Sequence, residues 1–384
     1  MRILHTSDWH LGRSFHREGL LDAQSAYVDH LVDTVRAEGV DVVVVSGDIY
    51  DRALPPVDAV ELANDALGRL LAAKVRVVMT SGNHDSAQRL GFASNLIDSA
   101  GIHLRTSPHT VGAPVLVSDR HGDVAIYGLP YLEPELLRTV WELPQRSHQA
   151  ALDAAMLRVR RDLARRPAGT RSVVMAHAFV VGATPSDSER DISVGGVSSV
   201  GLAAFDGIDY TALGHLHGRH TLSASVRYSG SPLAYSFSEA RHRKGSWLVD
   251  LAESGLGSVE FVDAPVPRRL VTLHGTIDSL LDDPRWVDAE VAWVQATITD
   301  AQRPPRAMER LRRRFPHTLV LKFEPAGAEA RQSHTVGTRV LGRSDDEVIS
   351  NFFTDVRGAA PTVDETPLLT QACDACRLTE DAAS

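Results

Sequence analysis

Four aspartates, one asparagine and five histidines fall into five short clusters. These are Asp8-Trp9-His10, Gly47-Asp48-Ile49-Tyr50-Asp51, Gly82-Asn83-His84-Asp85, His177, and Gly214-His215-Leu216-His217-Gly218. Carboxylates and imidazoles in one set suit a divalent transition ion such as Mn²⁺, Fe²⁺ or Zn²⁺ better than Ca²⁺, which takes oxygen throughout. The set is large enough for two ions, with Asp48 a natural bridge between them. Two ions about 3.5–4 Å apart stabilise an in-line attack on phosphorus. Each cluster alone says little. Asp-x-His arises by chance, a single histidine such as His177 more often satisfies its own core, and His215 and His217 share an ion only if the backbone turns both rings to one side. Histidines that merely hydrogen-bond do not explain five such clusters behind five strands.

The elements that must position them are apolar runs reading as strands: Arg2–Ser7, Asp41–Ser46, Val75–Ser81, Ser172–Ala176 and Tyr210–Leu213. Each run ends where a cluster begins, and open α/β sheets gather ligands at the carboxyl ends of their strands. Between the runs, Val28, Leu31, Val32 and Val35 recur at helical spacing, as do Leu152, Ala155, Met156 and Val159. A third helix covers Val57–Leu71 behind Pro55-Pro56. This is an α/β pattern, and it predicts a catalytic domain over residues 1–264. After Pro265-Val266-Pro267, strands at Leu270–His274, Trp293–Thr299 and Thr318–Phe323 with a helix at Arg306–Arg314 predict a small α+β domain over 265–335. The remainder, 336–384, is a linker, a helix and a tail. Ala326–Arg343 reads as a polar loop, and Ser344-Asp345-Asp346-Glu347 as a capping box opening a helix with Val348, Phe352, Phe353 and Val356 on its apolar side.

The 384 residues are 43% hydrophobic and 23% charged, the balance of a globular protein, and no apolar run approaches the ~20 residues of a membrane span. The first residues turn polar at Thr6-Ser7-Asp8, too early for a signal peptide. Two cysteines, Cys373 and Cys376, form no disulfide framework, so a reducing cytoplasm is expected; without a second pair nearby they read as free thiols rather than zinc ligands. The formal net charge is −9, so a polyanion must be met by a local patch, a metal or a partner. Arg303, Arg306, Arg310, Arg312, Arg313 and Arg314 against Glu309 offer such a patch, with Arg303, Arg306, Arg310 and Arg313 the candidate DNA contacts; a solvated helix face is the other reading. Arg158, Arg160, Arg161, Arg165 and Arg166 read as an exposed helix face. Arg241, His242, Arg243 and Lys244 suit either a phosphate near the site or an exposed turn.

The order D-x-H, G-D-x-x-D, G-N-H-D, H, G-H-x-H resembles the calcineurin-like metallophosphoesterases. Within them, SDWHLGRSF (7–15), SDSERDISVGG (186–196), DYTALGHLHGRH (209–220) and YSGSPLAYSFSEARHRKGSWLVDL (228–251) are similar to the nuclease subunits of bacterial complexes for DNA double-strand-break repair. The resemblance implies a two-sheet sandwich flanked by helices, a small capping domain that positions duplex, and a C-terminal helical segment. It implies one metal held by Asp8, His10, Asp48 and His217 and another by Asp48, Asn83, His177 and His215, most simply Mn²⁺. His84 would face the phosphodiester, with the Asp51 carboxylate behind it fixing its tautomer, while Asp85 caps the following helix. It further implies a 3′→5′ exonuclease on duplex ends and an endonuclease on single strands or hairpins, serving repair, recombination and replication. ATP would be used by an ABC-type ATPase partner, because G-x-x-x-x-G-K-[ST] is missing here. The final helix would dock on that partner or pack on its own core. A homodimer within a heterotetramer is implied too, in the region of the helices near Tyr27–Val35 and Val57–Leu71. Two other readings use the same fold: a stand-alone phosphodiesterase or phosphatase for small phosphodiesters or cyclic nucleotides, and a non-catalytic scaffold, which predicts a lost ligand.

Overall fold

Val42–Val45 offers no polar face to water, and the strand it forms is buried on both sides. That strand lies in one of two facing sheets. The computed structural model describes residues 1–193, 199–325, 344–357 and 359–372. It divides into two compact units, Met1–Glu324 and Pro325–Ser384.

In the first unit, β1 (Arg2–Thr6), β2 (Val42–Ser46), β3 (Arg76–Thr80) and β4 (Ile102–Arg105) run parallel as neighbours. The chain then builds a second sheet from β5 (Val115–Asp119), β6 (Gly122–Gly128), β7 (Arg171–His177), β8 (Tyr210–Gly214), β9 (His220–Thr221) and β10 (Val226–Tyr228), in the order β9-β10-β8-β7-β6-β5. It returns as β11 (Gly245–Ala252) and β12 (Gly255–Asp263), antiparallel strands that complete the first sheet beside β1.

Period-two alternation sorts the side chains. Ile3, Val42, Val44 and Val78 join Val173, Met175, Tyr210 and Ala212 in the core between the sheets. Leu4, Val43, Val45, Val77 and Met79 face α1 (Leu21–Glu38) and α2 (Val57–Ala72) on the other side. The second sheet turns Tyr127, Val174, Ala176 and Leu213 toward α3 (His148–Leu163), whose Leu152, Ala155, Met156 and Val159 are buried as their spacing predicts. Each such Val, Leu or Met burial contributes roughly 1.5–3 kcal/mol. The expected two-sheet sandwich flanked by helices is therefore the fold.

Also in the first unit, β13 (Leu270–Gly275), β14 (Trp293–Ile298) and β15 (Thr318–Phe323) form a parallel three-stranded sheet. One face is covered by α4 (Ile277–Asp282) and α5 (Ala307–Arg314) through Leu280, Leu311 and Phe315. The sequence reading found the three strands and α5 and missed α4, a single short turn with too little periodicity to register. The sheet's Leu270, Trp293, Leu319 and Val320 pack against Phe15, Leu20, Leu233, Tyr235 and Phe237 of the catalytic part. Phe15 and Trp293 lie 5.2 Å apart by ring centroid, which brings the small sheet beside the loop after β1.

In the second unit, α6 (Asp345–Arg357) opens on the capping box read from the sequence: Glu347 N–H donates to Ser344 Oγ at 3.4 Å, and Ser344 N–H to the Glu347 carboxylate at 3.0 Å. The loop 326–343, Cys373, Cys376 and residues 194–198 of the 186–196 stretch lie outside the described residues, as does the side chain of Val356.

Candidate metal centre

The five clusters meet at the carboxyl ends of β1, β2, β3, β7 and β8, where the two sheets converge. The turns that carry them are tight. Asp8 (φ 53°), His10 (φ 45°), Asp48 (φ 50°) and His215 (φ 102°) all hold the positive φ that side-chain-bearing residues avoid, each at a cost of about 1–3 kcal/mol. Glycines precede three of the clusters because nothing larger fits. A Cβ on Gly47 would stand 2.3 Å from His177 Nδ1, on Gly82 2.1 Å from Asp48 Oδ1, and on Gly214 1.8 Å from the Ser46 carbonyl.

The ligating atoms converge in three overlapping trios, each within 4.8 Å: Asp8, His10 and His217; Asp8, Asp48 and His177; His10, Asp48 and His84. Nε2 of His10 and Nε2 of His217 lie 2.9 Å apart, and Asp48 Oδ2 lies 3.6 Å from His10 Nε2 and 3.4 Å from His177 Nε2. Asn83 Oδ1 is shared by His177 Nε2 at 2.8 Å and His215 Nδ1 at 3.1 Å. The backbone braces the group: His215 N–H donates to Asp8 Oδ1 at 3.0 Å, and His177 Nδ1 to the Ser46 carbonyl at 3.0 Å. Donation from Nδ1 leaves Nε2 of His177 for the cluster.

The donor set fits divalent ions. Burial lowers the pKa of His10 well below its usual value and that of His215 to about 3, so both imidazoles are neutral and offer lone pairs. Asp48 stays ionised: burial opposes it, but His177 beside it holds its carboxyl well below the usual range. Burial raises Asp8 to about 6, and although burial disfavours the His177 cation, Asp48 lifts that ring to about 9, so an ion bound there would displace the His177 Nε2 proton to gain its lone pair. Asn83 Nδ2 and His10 Nδ1 are buried without a hydrogen-bond partner. Two carboxylates, an amide oxygen and four imidazoles around one point are the mixed oxygen and nitrogen set of a transition-metal site.

Two groups around the site act differently from expectation. His84 Nδ1 donates to the main-chain carbonyl of Asp51 at 2.7 Å, not to its carboxylate. Asp51 N–H is tied to the Leu11 carbonyl, which draws the carboxylate toward Arg13 Nε (3.7 Å) and His10 Nδ1 (4.0 Å) instead. Asp85 caps no helix; that role falls to Ser86, whose Oγ accepts from Arg89 N–H at 3.4 Å. The Asp85 carboxylate takes backbone N–H bonds from Ile49 (3.1 Å), Tyr50 (2.9 Å) and Gly82 (2.9 Å), fastening the Asp48 and Asn83 loops together.

Sequence reasoning gave no chemistry to the groups behind His217. Ser188 Oγ lies 2.5 Å from His217 Nδ1 and donates to Glu239 Oε1 at 2.5 Å, Glu189 accepts from His217 N–H at 2.7 Å, and Glu239 pairs with buried Lys244. The match at 186–196 flagged part of this set. Lys244, read as exposed or phosphate-facing, donates to the His217 carbonyl at 2.8 Å, and its neighbour Arg243 pairs with Asp263.

Beside the centre, a groove of about 530 Å³ passes Arg13, His16 and Ser188 to Thr272, Gln295 and Lys322 of the small sheet. The arginines of α5 lie elsewhere in that domain and are mostly engaged. Arg310 pairs with Asp278 at 2.5 Å and Arg314 with Glu290 at 3.0 Å, while Arg312 donates to the Thr318 carbonyl at 3.1 Å. Arg306 and Arg313 keep most of their surface, though both lean on Glu309, and Arg303 is exposed. On the α3 run, Arg158 stacks on Trp141 and Arg166 pairs with Asp162, as befits a solvated face.

Comparison with known proteins gives two family matches. A family model described as calcineurin-like phosphoesterase matches residues 1–219, and one described as the type 5 capsule protein repressor C-terminal domain (SbcD_C) matches residues 266–357. A curated relative, the SbcD component of the SbcCD nuclease of Staphylococcus saprophyticus, is 27% identical over 368 residues, 95% of this chain and 96% of that protein. Among solved structures, a dimetal phosphatase from Danio rerio matches 69% of this chain and 99% of its own at 15% identity and a TM-score of 0.41. A protein from Thermus thermophilus matches 68% of this chain and 98% of its own at 13% identity and a TM-score of 0.39.

Proposed function

The chain belongs to the calcineurin-like phosphoesterase family, and on that footing we propose that it is the nuclease subunit of an SbcCD-type complex, hydrolysing DNA phosphodiester bonds with an SbcC-type ABC ATPase in repair and recombination. The observation that supports this reading is the convergence of carboxylates and imidazoles into overlapping trios with a groove beside them, which passes Ser188 behind His217 and runs to the small sheet; a polymer needs such a track and a cyclic nucleotide does not. In this reading residues 1–264 are catalytic, 265–335 position duplex, and 336–384 carry the partner-binding helix. The substrates are duplex ends, cut 3′→5′, and single strands or hairpins. The place of action is the cytoplasm; among the described residues no helix is long and apolar enough to cross a membrane.

Asp8, His10, Asp48 and His217 would hold one divalent ion and Asp48, Asn83, His177 and His215 the other, with Mn²⁺ the metal of choice. Bound there, such ions supply Lewis-acid stabilisation of the charge that grows on phosphate. The protein's own part is orientation. With its Nδ1 proton committed to the Asp51 carbonyl, His84 meets substrate through Nε2; burial lowers its pKa, and the negative charge of an arriving phosphate favours the second proton that it would hand to the leaving oxygen. Asp85 keeps the His84 and Asp48 loops in register.

A homodimer within a heterotetramer completes the proposal. Its supporting surface differs from the sequence expectation: Tyr27, Val28, Leu31, Val32 and Val35 are buried in the chain's own core, whereas Leu54, Val57, Phe92 and Leu96 are exposed. Arg89 donates to the Ala53 carbonyl at 3.2 Å and so holds the two short segments of that patch together.

The test is degradation of an end-labelled linear duplex in Mn²⁺. Label is released by the wild type, and His84→Ala slows release by roughly 10²–10⁴-fold. No cleavage, with or without an SbcC-type ATPase and ATP, rejects the nuclease reading in favour of small phosphodiesters.

A further inference from the structure

Residues 186–190 reach both halves of the centre. Ser188 and Glu189 grip the ring and the backbone N–H of His217. Arg190, next in the chain, donates through Nη1 to the Asn83 carbonyl at 3.1 Å and places Nη2 3.5 Å from Nδ1 of His84. Arg13 donates to the Ser188 carbonyl at 2.9 Å, anchoring the middle of the segment to the loop after β1. The guanidinium of Arg190 is thereby indexed to His217, to Asn83 and to His84 at once.

The approach to His84 is not a hydrogen bond, because that ring's Nδ1 proton already goes to Asp51. It is a permanent cation set against a group that faces substrate. The side chain is exposed, and among the described residues its only polar contacts are these two, with no carboxylate as counter-ion. A guanidinium carries five N–H donors in a planar fork, and one of them is in use here. Holding an uncompensated cation at the mouth of a histidine cluster is favourable when an anion arrives there, and the fork matches two oxygens of a phosphate.

We propose that Arg190 is a catalytic residue that binds a non-bridging oxygen of the scissile phosphate and stabilises the negative charge gathered there during attack. The inference rests on the phosphodiesterase reading of the centre and names a group outside the ligand set and His84. Its positioning comes from the 186–190 segment, so the donor is in place before charge develops.

The Mn²⁺-loaded full chain is compared with Arg190→Ala and Arg190→Lys. Thymidine 5′-monophosphate is the binding probe and bis(4-nitrophenyl) phosphate the turnover probe; bound Mn²⁺ and Tm are measured alongside. Arg190→Ala is expected to keep its Mn²⁺ and Tm, to bind the nucleotide at least about tenfold more weakly, and to lose about 10²-fold in kcat, the usual effect of removing one oxyanion donor. Arg190→Lys restores part of both, since it returns the charge without the fork. Unchanged nucleotide binding and kcat overturn the proposal. Losses that track lost Mn²⁺ also overturn it, reducing Arg190 to a tie on the Asn83 loop. A wild type that cleaves the aryl diester but not DNA rejects the nuclease reading while the Arg190 comparison still stands. A wild type that neither binds the nucleotide nor cleaves the diester overturns both.

Discussion

Ser188 stands between His217 and a buried ion pair: its hydroxyl donates to Glu239 Oε1 at 2.5 Å, has Ser186 Oγ 3.0 Å away, and therefore meets Nδ1 of His217, also at 2.5 Å, as an acceptor. That chain fixes the His217 tautomer with its lone pair on Nε2, the atom 2.9 Å from Nε2 of His10. Without the hydroxyl, the nearest acceptor for Nδ1–H is the Glu239 carboxylate at 3.7 Å, beyond hydrogen-bonding reach. Ser188→Ala is therefore expected to weaken Mn²⁺ binding by about 10–100-fold, read by calorimetric titration of the metal-free chain. Ser188→Thr, which keeps the hydroxyl, is expected to retain most of the affinity. Equal affinity in all three would show that the backbone alone orients His217. The same logic separates His84 from Asp51: replacing the Asp51 side chain leaves the carbonyl that holds His84 in place.

At the scale of strands and turns, the site was legible because its geometry forces particular residue types. A strand end that must bring Asp48 against Asn83 and His177 has no room for a Cβ at Gly47 or Gly82, so glycine beside ligand is visible in the sequence. The supporting partners were not legible, because Ser188, Glu239 and Lys244 belong to segments without a period and meet His217 only in three dimensions. Helical spacing announced the apolar face of α1 but could not say what covers it; the first sheet does. A buried pair at the far end of the second sheet was equally hidden. Arg171, 2% exposed at the start of β7, donates to the Asp119 carboxylate at the end of β5 at 2.6 Å and 3.0 Å. Arg171 holds the Asp119 carboxyl well below the usual carboxylate range. The folded pKa is thus depressed, so the stabilisation is complete above the unfolded value near pH ~4 and is lost as pH falls toward the folded one. Asp119→Ala leaves the buried Arg171 guanidinium only the Gly122, Leu251 and Ala252 carbonyls and should cost about 1–3 kcal/mol at neutral pH. In urea titrations without metal, the wild type is expected to lose stability below pH ~4 more steeply than Asp119→Asn. Equal acid sensitivity would remove the pair from the account.

For the whole molecule, the formal charge of −9 and the pairing of the α5 arginines set how DNA can be held. A protein that neutralises Z phosphates loses affinity with salt at a log–log slope of about −0.9Z on duplex. With Arg310 and Arg314 committed inside the small domain, the exposed cations described near the centre and on that domain that can meet phosphate include Arg190 and Lys322 near the centre, and Arg303, Arg306 and Arg313 beyond it. The proposed homodimer would double what a single chain presents. Phe92→Glu with Leu96→Glu is expected to convert dimers to monomers by light scattering, because it buries charge in the exposed apolar patch; an unchanged mass would place the interface elsewhere. On that monomer, the salt slope for a short catalytically inert duplex should be about −3 to −5, the value for roughly four to six contacts. Adding Arg306→Ala and Arg313→Ala should flatten it by about 2 if the small domain lies along the duplex, and leave it unchanged if those arginines only solvate α5. A shallow slope that these two changes do not alter would put all phosphate recognition at the metal centre. The remaining field for duplex would then have to come from the ATPase partner, which fits a formal charge of −9 on this chain.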